Sequence, residues 1–330
     1  MSPQGSRLSE TELIGRFFAR AGRLRAPAGG VLLGIGDDAA LLQVPEGSDL
    51  VAAVDTIVAG RHFLPGADAF AVGHRALAVN LSDLAAMGAS PRWATLALTL
   101  PAADPEWLER FAGGLFALAD RHGVALVGGD TTSGPLTISV QLLGVVDRGA
   151  ALRRDGAKAG DLLAVTGSLG DAGAGLALSQ ATFTTTEQQA ARELVRRFDY
   201  PAPRVEIGAA ARGIVHAAMD LSDGLVADLP KLTAASGLAA HVEVDRLPLS
   251  PAMQALGMPA LARDWALGAG DDYELLFAVP RPREHELREV AARFDIALTV
   301  IGELRAGAGV TWSLDGAEFA PRVQGYDHFR

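Results

Sequence analysis

The chain has 330 residues, a formal charge of −10 and no cysteine. The acidic balance argues against non-specific binding of nucleic acid. Without cysteine there are no disulfides, zinc–thiolate sites, iron–sulfur clusters or cysteine nucleophiles. The length favours two domains, and 49% hydrophobic residues are enough for a sizeable core. No signal-peptide pattern and no bilayer-spanning apolar run are present, so we expect a soluble cytoplasmic protein without a membrane partner.

Hydrophobic periodicity predicts alternating helices and strands in the first half of the chain. Helices are predicted at about 9–23, 70–87 and 105–122, and strands at 31–35, 50–55, 92–100, 124–128 and 136–146. Ser9 and Glu12 form a capping-box pattern at the start of the first helix. The turn-rich residues 147–160 predict a linker that carries several arginines.

The second half shows the same mixture of elements. Strands are predicted at 162–166, 214–219, 239–244, 273–279, 297–304 and 310–314, and helices at 171–181, 187–198, 204–212, 224–236, 250–257, 261–267 and 283–293. Together the two halves predict an α+β (mixed α/β) fold in two subdomains. We place the domain bounds at 1–148 and 149–330.

Residues 31–38, with the sequence VLLGIGDD, are predicted to form a buried strand followed by a glycine turn and two carboxylates. The stretch fits the loose dinucleotide-binding pattern G-x-G-x-x-A. Asp37 and Asp38 would repel a pyrophosphate unless a divalent cation lay between them. A solvated turn is the alternative, and this stretch taken alone favours it.

Six aspartates share one sequence context, because each follows an apolar run or begins a predicted helix. Any one of them alone is more typical of an N-cap or a turn than of a ligand. If all six converged at one sheet edge, their mutual repulsion would require divalent cations. Oxygen ligands of this kind suit Mg²⁺, Mn²⁺ or Ca²⁺. The six are Asp38, Asp55, Asp83, Asp130, Asp220 and Asp223.

Two glycine-rich stretches could bind phosphate, although no Walker A motif is present. Residues 128–132, GGDTT, offer backbone amides and hydroxyls, and residues 167–173, GSLGDAG, lead into a predicted helix. For the second stretch a flexible turn is an equally good interpretation. Arg153 or Arg154 could reach a phosphate, with a solvated surface position as the alternative. His62 has no local partner for a catalytic dyad, so a surface or substrate-contacting role is favoured over a general base.

Several longer motifs occur together in a characteristic order: GIGDDAALL, DTIVAGRHF, NLSDLAAMGA, GGDTT, DLSDG, YELLF and GYDHF. On these motifs the chain resembles the thiamine-monophosphate kinase family over about residues 12–329. The resemblance implies the aminoimidazole ribonucleotide synthetase-like ATP-binding fold. In that fold an amino-terminal sheet joins its counterpart in a homodimer barrel, and a carboxy-terminal α/β sandwich completes the substrate site.

The resemblance also implies ATP-dependent phosphorylation of thiamine monophosphate to thiamine diphosphate, by direct in-line transfer with several Mg²⁺ ions. It implies no nucleophile or base, since the acceptor phosphate is already ionised. The six aspartates are its implied magnesium ligands. The implied ATP contacts are Gly129, Asp130, Arg154 and Ser222, and the implied substrate contacts are His62, Asp271 and Val323.

The chain departs from the family pattern at four positions. Ala53 and Val54 stand where hydroxyl residues are common in the family, so we expect one outer metal to be missing or held by backbone and water. Asp271 replaces a glutamate, and Val323 aligns with an aromatic residue that stacks on thiamine; we therefore expect weak discrimination at the thiamine ring. The alternatives are another enzyme of the superfamily and a non-catalytic protein that binds nucleotide and Mg²⁺. Selenophosphate synthetases and hydrogenase-maturation relatives are disfavoured because both use a cysteine or selenocysteine.

Overall fold

The protein is represented by a computed structural model that describes residues 9–19 and 29–329. The chain divides into two compact units. Unit 1 comprises Met1–Leu84 and Ser90–Gly149, and unit 2 comprises Ala85–Ala89 and Ala150–Arg330. Both units combine helices with β-sheet, which confirms the predicted α+β class. Within the described ranges, no helix has the length and apolar character needed to cross a membrane.

Unit 1 begins with α1, Glu10–Leu13, which continues as a π-helical turn over Ile14–Phe18. The predicted capping box is present, since the Ser9 N–H donates to Glu12 Oε2 at 2.8 Å. The predicted end of this helix near residue 23 lies outside the described residues. The remaining elements are β1 Val31–Leu33, β2 Leu41–Leu42, β3 Ser48–Val58, α2 Ala69–Ala86, β4 Ser90–Leu100, α3 Pro105–His122, β5 Ala125–Ser133 and β6 Thr137–Asp147.

A four-stranded sheet in the order β3-β6-β4-β5 forms the body of unit 1, and β1 pairs with β2 beside it. α3 begins as predicted, with Asp104 as its N-cap and Pro105 in the first turn. α2 and α3 approach until their backbones touch: a Cβ on Gly114 would lie 1.9 Å from the carbonyl oxygen of Phe70. Only glycine allows this contact.

Several elements of unit 1 differ from the sequence prediction. β1 ends at Leu33, and the expected burial is wrong, because Leu32 is 57% exposed. The premise that an aspartate follows the end of a strand is wrong for two of the six. β3 continues through Asp55 and β5 through Asp130, whereas α2 includes Asp83 as predicted. The strands continue because β6 and β4 supply partners along the whole length of β3 and β5.

Unit 2 is built on a seven-stranded sheet in the order β13-β12-β9-β11-β7-β10-β8. Its strands are β7 Leu162–Thr166, β8 Ala217–Leu221, β9 Leu238–Glu243, β10 Glu274–Val279, β11 Leu298–Ala306, β12 Gly309–Leu314 and β13 Ala317–Phe319. Its helices are α4 Asp171–Ser179, α5 Gln188–Asp199, α6 Val205–Ala210, α7 Leu225–Ser236, α8 Pro251–Ala255, α9 Pro259–Gly268 and α10 Glu284–Arg293. α7 places Leu225, Leu229 and Leu232 in the main core, the spacing of an amphipathic helix.

Glu274 is the centre of a buried ion cluster in unit 2, with 1% of its surface exposed. It accepts hydrogen bonds from Arg204 Nε at 2.6 Å, Arg197 Nη2 at 3.1 Å and Thr166 Oγ1 at 2.6 Å. Burial alone would raise the pKa of Glu274, but the two guanidinium groups outweigh it and hold the pKa below its usual value. Gly167 lies so close that any Cβ there would fall 2.0 Å from Glu274 Oε1.

We predict that Glu274→Ala lowers the free energy of unfolding by about 3–5 kcal/mol, because it leaves two arginines without their buried carboxylate. Glu303→Ala is the matched control: Glu303 also binds two arginines, Arg281 and Arg305, but at the surface. The control should cost less than about 1 kcal/mol. Denaturant unfolding monitored by circular dichroism measures the free energy of unfolding of both variants. An equal decrease in the two variants would contradict the larger stabilising contribution of the buried cluster.

Candidate functional site

Unit 1 contains a cavity of about 620 Å³ between the loop after β1, the first helix and strands β4 and β5. Three carboxylates line it, from Asp37, Asp38 and Asp130. None of the described lining residues is Lys, Arg or His. The described lining residues are Thr11, Ile14, Phe18, Ile35, Gly36, Asp37, Asp38, Ala39, Ala40, Thr95, Leu96, Leu126, Val127, Gly128, Gly129, Asp130 and Thr131.

The structure therefore brings three of the predicted site residues to one cavity: Asp38, Gly129 and Asp130. Both aspartates are exposed to solvent. Asp37, which the sequence reasoning did not assign, accepts the Asp38 N–H at 2.8 Å through its Oδ1 and so fixes the turn. The doubled aspartate in the sequence was the signal for this role.

Asp55 and Asp130 lie on opposite faces of the sheet. The strand register forms two adjacent rows, and side chains in neighbouring rows alternate between faces. Val140 and Leu96, in the row of Asp55, are buried, so that row faces the core. The rows are Asp55–Val140–Leu96–Gly129 and Thr56–Ser139–Ala97–Asp130.

Asp55 lies beside α2, where its N–H donates to Asn80 Oδ1 at 3.1 Å. Asn80 is fully buried, and Asp83 follows it by three residues on the same side of the helix. His62 follows the end of β3, and its Nδ1 accepts the Val58 N–H at 3.0 Å. That bond leaves the ring proton on Nε2 in the neutral imidazole.

The donor chemistry of the unit 1 cavity fits a hard divalent cation. Its carboxylates are oxygen donors, and no cationic side chain among the described lining residues offsets their charge. In residues 9–19 and 29–329, no group of three or more His, Cys, Asp or Glu side chains is arranged to hold a metal ion. The six-aspartate ligand set therefore stays a prediction that rests on the family resemblance.

In unit 2, the loop after β8 carries two of the predicted residues, Ser222 and Asp223. Asp228, buried at the start of α7, accepts the N–H groups of both residues through Oδ2, at 3.0 and 2.9 Å. Lys231 Nζ donates to Asp228 Oδ1 at 2.8 Å and to Asp223 Oδ2 at 2.7 Å. Asp220 is buried in β8, two residues before this loop.

The charges around this loop are balanced by direct contact. Burial raises the pKa of Asp228, although the hydrogen bond from Lys231 opposes the shift. Burial alone would lower the pKa of Lys231, but its hydrogen bonds to Asp223 and Asp228 outweigh burial and raise it. The sequence motifs do not predict Asp228 and Lys231, because the role of these residues depends on side-chain contacts that no motif encodes.

Residues 268–273 pack against this loop and hold Asp271. The Asp271 N–H donates to the Ser222 carbonyl oxygen at 2.9 Å, and Asp271 Oδ1 accepts from the Tyr273 hydroxyl at 3.1 Å. Asp271 and Tyr273 both have positive φ values, 70° and 50°. Such backbone conformations are costly for residues other than glycine, and they concentrate at functional sites.

The carboxy-terminal segment reaches the same loop, since the Tyr326 N–H donates to the Asp223 carbonyl oxygen at 2.9 Å. Val323 packs against the main core of unit 2 and close to Gly268. Tyr326 is 43% exposed. It is an aromatic residue beside the predicted site, although the sequence analysis expected the aromatic position to be that of Val323. Its signal was the GYDHF motif.

The stretch 167–173, considered above as a phosphate-binding turn, is occupied by the protein's own carboxylate. Asp272 Oδ2 accepts the Gly170 N–H at 2.7 Å, at the amino end of α4. Burial, and then the neighbouring Asp171 and Glu274, raise the pKa of Asp272 well above its usual value, although the amide hydrogen bonds oppose this. A phosphate would have to displace this carboxylate.

The two arginines of the linker differ in their contacts. Arg153 forms an ion pair with Asp155, with Nε 2.9 Å from Oδ1. Arg154 is exposed, and its carbonyl oxygen accepts the Ser236 hydroxyl at 2.7 Å, which ties this turn to the end of α7. The structure therefore favours Arg154 over Arg153 as the side chain able to receive an anion.

Comparisons with known proteins match both units. Residues 36–146 match the family described as AIR synthase related protein, N-terminal domain, and residues 158–314 match its C-terminal domain. Thiamine-monophosphate kinase of Salmonella typhimurium is 46% identical over 321 residues, covering 97% of this chain and 98% of the relative. The chain belongs to the thiamine-monophosphate kinase family. The resemblance and the expectation of a kinase are thereby confirmed.

Solved structures of this family agree. Thiamine-monophosphate kinase from Stenotrophomonas maltophilia K279a has a TM-score of 0.85 and 48% identity, covering 94% of this chain and 98% of that one. AaThiL complexed with AMPPCP and TMP has a TM-score of 0.76 and 33% identity, covering 89% and 92%. Members of the thiamine-monophosphate kinase family thus share both the fold and the chain length of this protein.

We predict that Asp228→Asn loosens the Ser222–Asp223 loop, because an amide cannot accept two N–H groups and also neutralise Lys231. Hydrogen exchange of the Ser222 and Asp223 amides should therefore accelerate about tenfold or more, because each amide loses part of its hydrogen bond. Glu193→Gln is the control, since Glu193 pairs with Arg196 on the exposed side of α5. Unchanged exchange in a folded variant would contradict the loop-holding role.

Proposed function

We propose that this protein transfers the γ-phosphoryl group of ATP to thiamine monophosphate and forms thiamine diphosphate. The observation that carries the proposal is membership of the thiamine-monophosphate kinase family over nearly the whole chain. The cavity of unit 1 supports it, because none of its described lining residues is cationic, and its carboxylates therefore favour a metal–phosphate ligand. A relative solved with AMPPCP and TMP supports the same pair of substrates.

The proposed roles follow the residues named above. In unit 1, Asp38, Asp55, Asp83 and Asp130 would hold Mg²⁺, and in unit 2 Asp220 and Asp223 would do the same. When bound, the several Mg²⁺ ions would neutralise the phosphate oxygens during in-line transfer. The amide of Gly129, Arg154 and Ser222 would position ATP. His62, Asp271 and Val323 remain the proposed contacts of thiamine monophosphate.

No side chain needs to act as nucleophile or base in this reaction, because the acceptor phosphate is ionised at neutral pH. The chain must instead hold the groups that bind the substrates and Mg²⁺ in fixed positions. Asp37 fixes the turn that presents Asp38, and Asp228 fixes the loop that presents Ser222 and Asp223. Preorganised groups of this kind lower the barrier because they need no rearrangement during transfer.

We further propose that residues 1–148 form the ATP- and Mg²⁺-binding dimerisation domain, and that residues 149–330 complete the substrate site. The sheet of unit 1 supports a homodimer. β3 is an edge strand, and Leu50 and Val54 on it are 50% and 64% exposed. Exposed apolar side chains on an edge strand are a liability unless another chain covers them. A second copy of this chain is the proposed partner.

Leu50→Asp should convert the protein from a dimer into a monomer, because it places a charge in the proposed apolar interface. Light scattering should give a mass of 34.2 kDa for the variant and twice that for the wild type. Met258→Asp is the control, since Met258 is 44% exposed in unit 2. A monomeric wild type, or a dimeric Leu50→Asp variant, would refute this interface.

Turnover tests the kinase proposal directly. Purified protein with Mg²⁺, ATP and thiamine monophosphate should form thiamine diphosphate, followed by chromatography, and EDTA should stop the reaction. Asp130→Asn should lower kcat by roughly 100-fold or more, because it removes a proposed metal ligand. Glu46→Gln, an exposed acid of unit 1 outside the cavity, is the control.

Two outcomes would contradict these assignments. A folded Asp130→Asn variant with wild-type kcat would exclude Asp130 as a metal ligand. Wild-type protein that binds AMPPCP but forms no thiamine diphosphate would exclude thiamine monophosphate as the acceptor, while leaving the nucleotide site intact.

A further inference from the structure

Two of the 29 basic residues in this chain are lysines, Lys158 and Lys231. Their surroundings differ in kind. Lys231 Nζ contacts two carboxylates, those of Asp223 and Asp228. Lys158 Nζ lies 3.2 Å from the Nε2 atom of His216. The Lys231 ammonium group therefore contacts carboxylates, whereas the Lys158 ammonium group contacts an imidazole nitrogen.

The orientation of His216 is set by Asp161, which is 4% exposed. Nδ1 of His216 lies 2.9 Å from Asp161 Oδ2, and that same oxygen accepts the Lys158 N–H at 2.8 Å. A carboxylate can only accept, so Nδ1 carries the imidazole proton. Nε2 of the neutral ring is then the acceptor that faces the Lys158 ammonium group.

The two chain segments that carry these groups are both fixed to the sheet of unit 2. The His216 N–H donates to the Ala278 carbonyl oxygen in β10 at 2.9 Å, and the Gly160 N–H donates to that of Leu304 in β11 at 2.8 Å. Gly156 is packed so closely that a Cβ would lie 2.2 Å from the His216 carbonyl oxygen. Lys158 itself remains exposed. A reactive group held on a rigid support but open to solvent is accessible to a small reagent.

We propose that Lys158 is a nucleophilic amine that acyl phosphates acylate, with His216 as its base and Asp161 as the residue that orients the base. The arrangement follows the logic of a catalytic triad: the nucleophile contacts a base, and a carboxylate holds the base in the required tautomer. Lys158, His216 and Asp161 are not assigned to the kinase reaction, and their proposed chemistry does not depend on that function.

The step balances as follows. Lys158 reacts as its neutral amine, after one proton has been lost to water, and the nitrogen attacks the acyl carbon. The new C–N bond forms as the C–O bond to phosphate breaks, and the electron pair leaves with the phosphate. Nε2 of His216 takes the second proton from the nitrogen of the addition intermediate and passes it to the departing phosphate. The products are an amide, hydrogen phosphate and one proton.

The local charge favours an anionic donor. Arg154 is exposed four residues before Lys158 in the same segment. The phosphoryl group of an acyl phosphate is attracted to such a region, whereas a neutral acyl donor is not. Acylation removes the charge of Lys158 and its hydrogen bond to His216.

The test uses acetyl phosphate with the full-length wild-type protein and no ATP. Mass spectrometry of proteolytic peptides follows acetylation at the two lysines, so Lys231 is an internal control in every sample. Lys158 should react at least about tenfold faster than Lys231, the scale expected for a positioned base. His216→Asn keeps a donor toward Asp161 but removes the base, and it should slow Lys158 by at least about tenfold.

A merely exposed lysine would behave differently. If exposure alone set its rate, Lys158 would react as fast or faster in His216→Asn, and that result would overturn the proposal. Equal rates for the two lysines in the folded wild type would overturn it as well. Should His216→Asn fail to fold, guanidinium-denatured wild type replaces it. There the absolute rate at Lys158 should fall by at least about tenfold because the His216 contact is lost, and an unchanged rate would refute the role of His216.

Discussion

The fold depends on which groups bind the carboxylates at the ends and edges of the sheets in this acidic chain. In unit 2 the carboxylates are bound by hydrogen-bond donors of the protein itself. Glu274 is met by two arginines, Asp272 by amides of α4, and Asp228 by two loop amides and Lys231. Each solution fixes a segment of backbone, because the carboxylate and its partners must keep their places to offset the cost of burial. The cavity of unit 1 shows the opposite arrangement: its aspartates are exposed to solvent, and no cationic side chain is among the described lining residues. That contrast is the structural argument for an external cation in unit 1.

The sequence predicted most elements because local signals and tertiary packing agree. α3 is an example: its capping aspartate, its proline in the first turn and its apolar stripe all point to the same helix. The failures come from non-local pairing. Nothing within residues 50–58 reveals that β6 supplies partners along all of β3, so the strand was predicted to stop at Asp55. The prediction that β1 is buried was wrong for a related reason. An apolar run indicates that burial is favourable, but it does not show whether the same chain supplies the residues that cover it.

The candidate site was predictable as a set of residue types and much less as a geometry. Asp38 and Asp130 do meet at one cavity, as a shared role would require. Asp55 and Asp130 face opposite sides of the sheet, and only the strand register reveals this. The positioning residues escaped the motifs altogether. Asp228 acts through hydrogen bonds to amides five and six residues earlier, and a motif search sees only an aspartate inside a helix.

Because the chain has two lysines among 29 basic residues, the use of lysine rather than arginine at positions 158 and 231 calls for a physical reason. Arginine remains protonated and presents a rigid fork, which suits the paired contacts that Glu274 makes with Arg204. A compact ammonium group suits Lys231, which must touch two carboxylates on different segments. At position 158 the difference is chemical rather than geometric, because the neutral amine of a lysine is a nucleophile, whereas an arginine stays protonated. An arginine there could keep the side-chain hydrogen bond to His216, but it could not become a nucleophile.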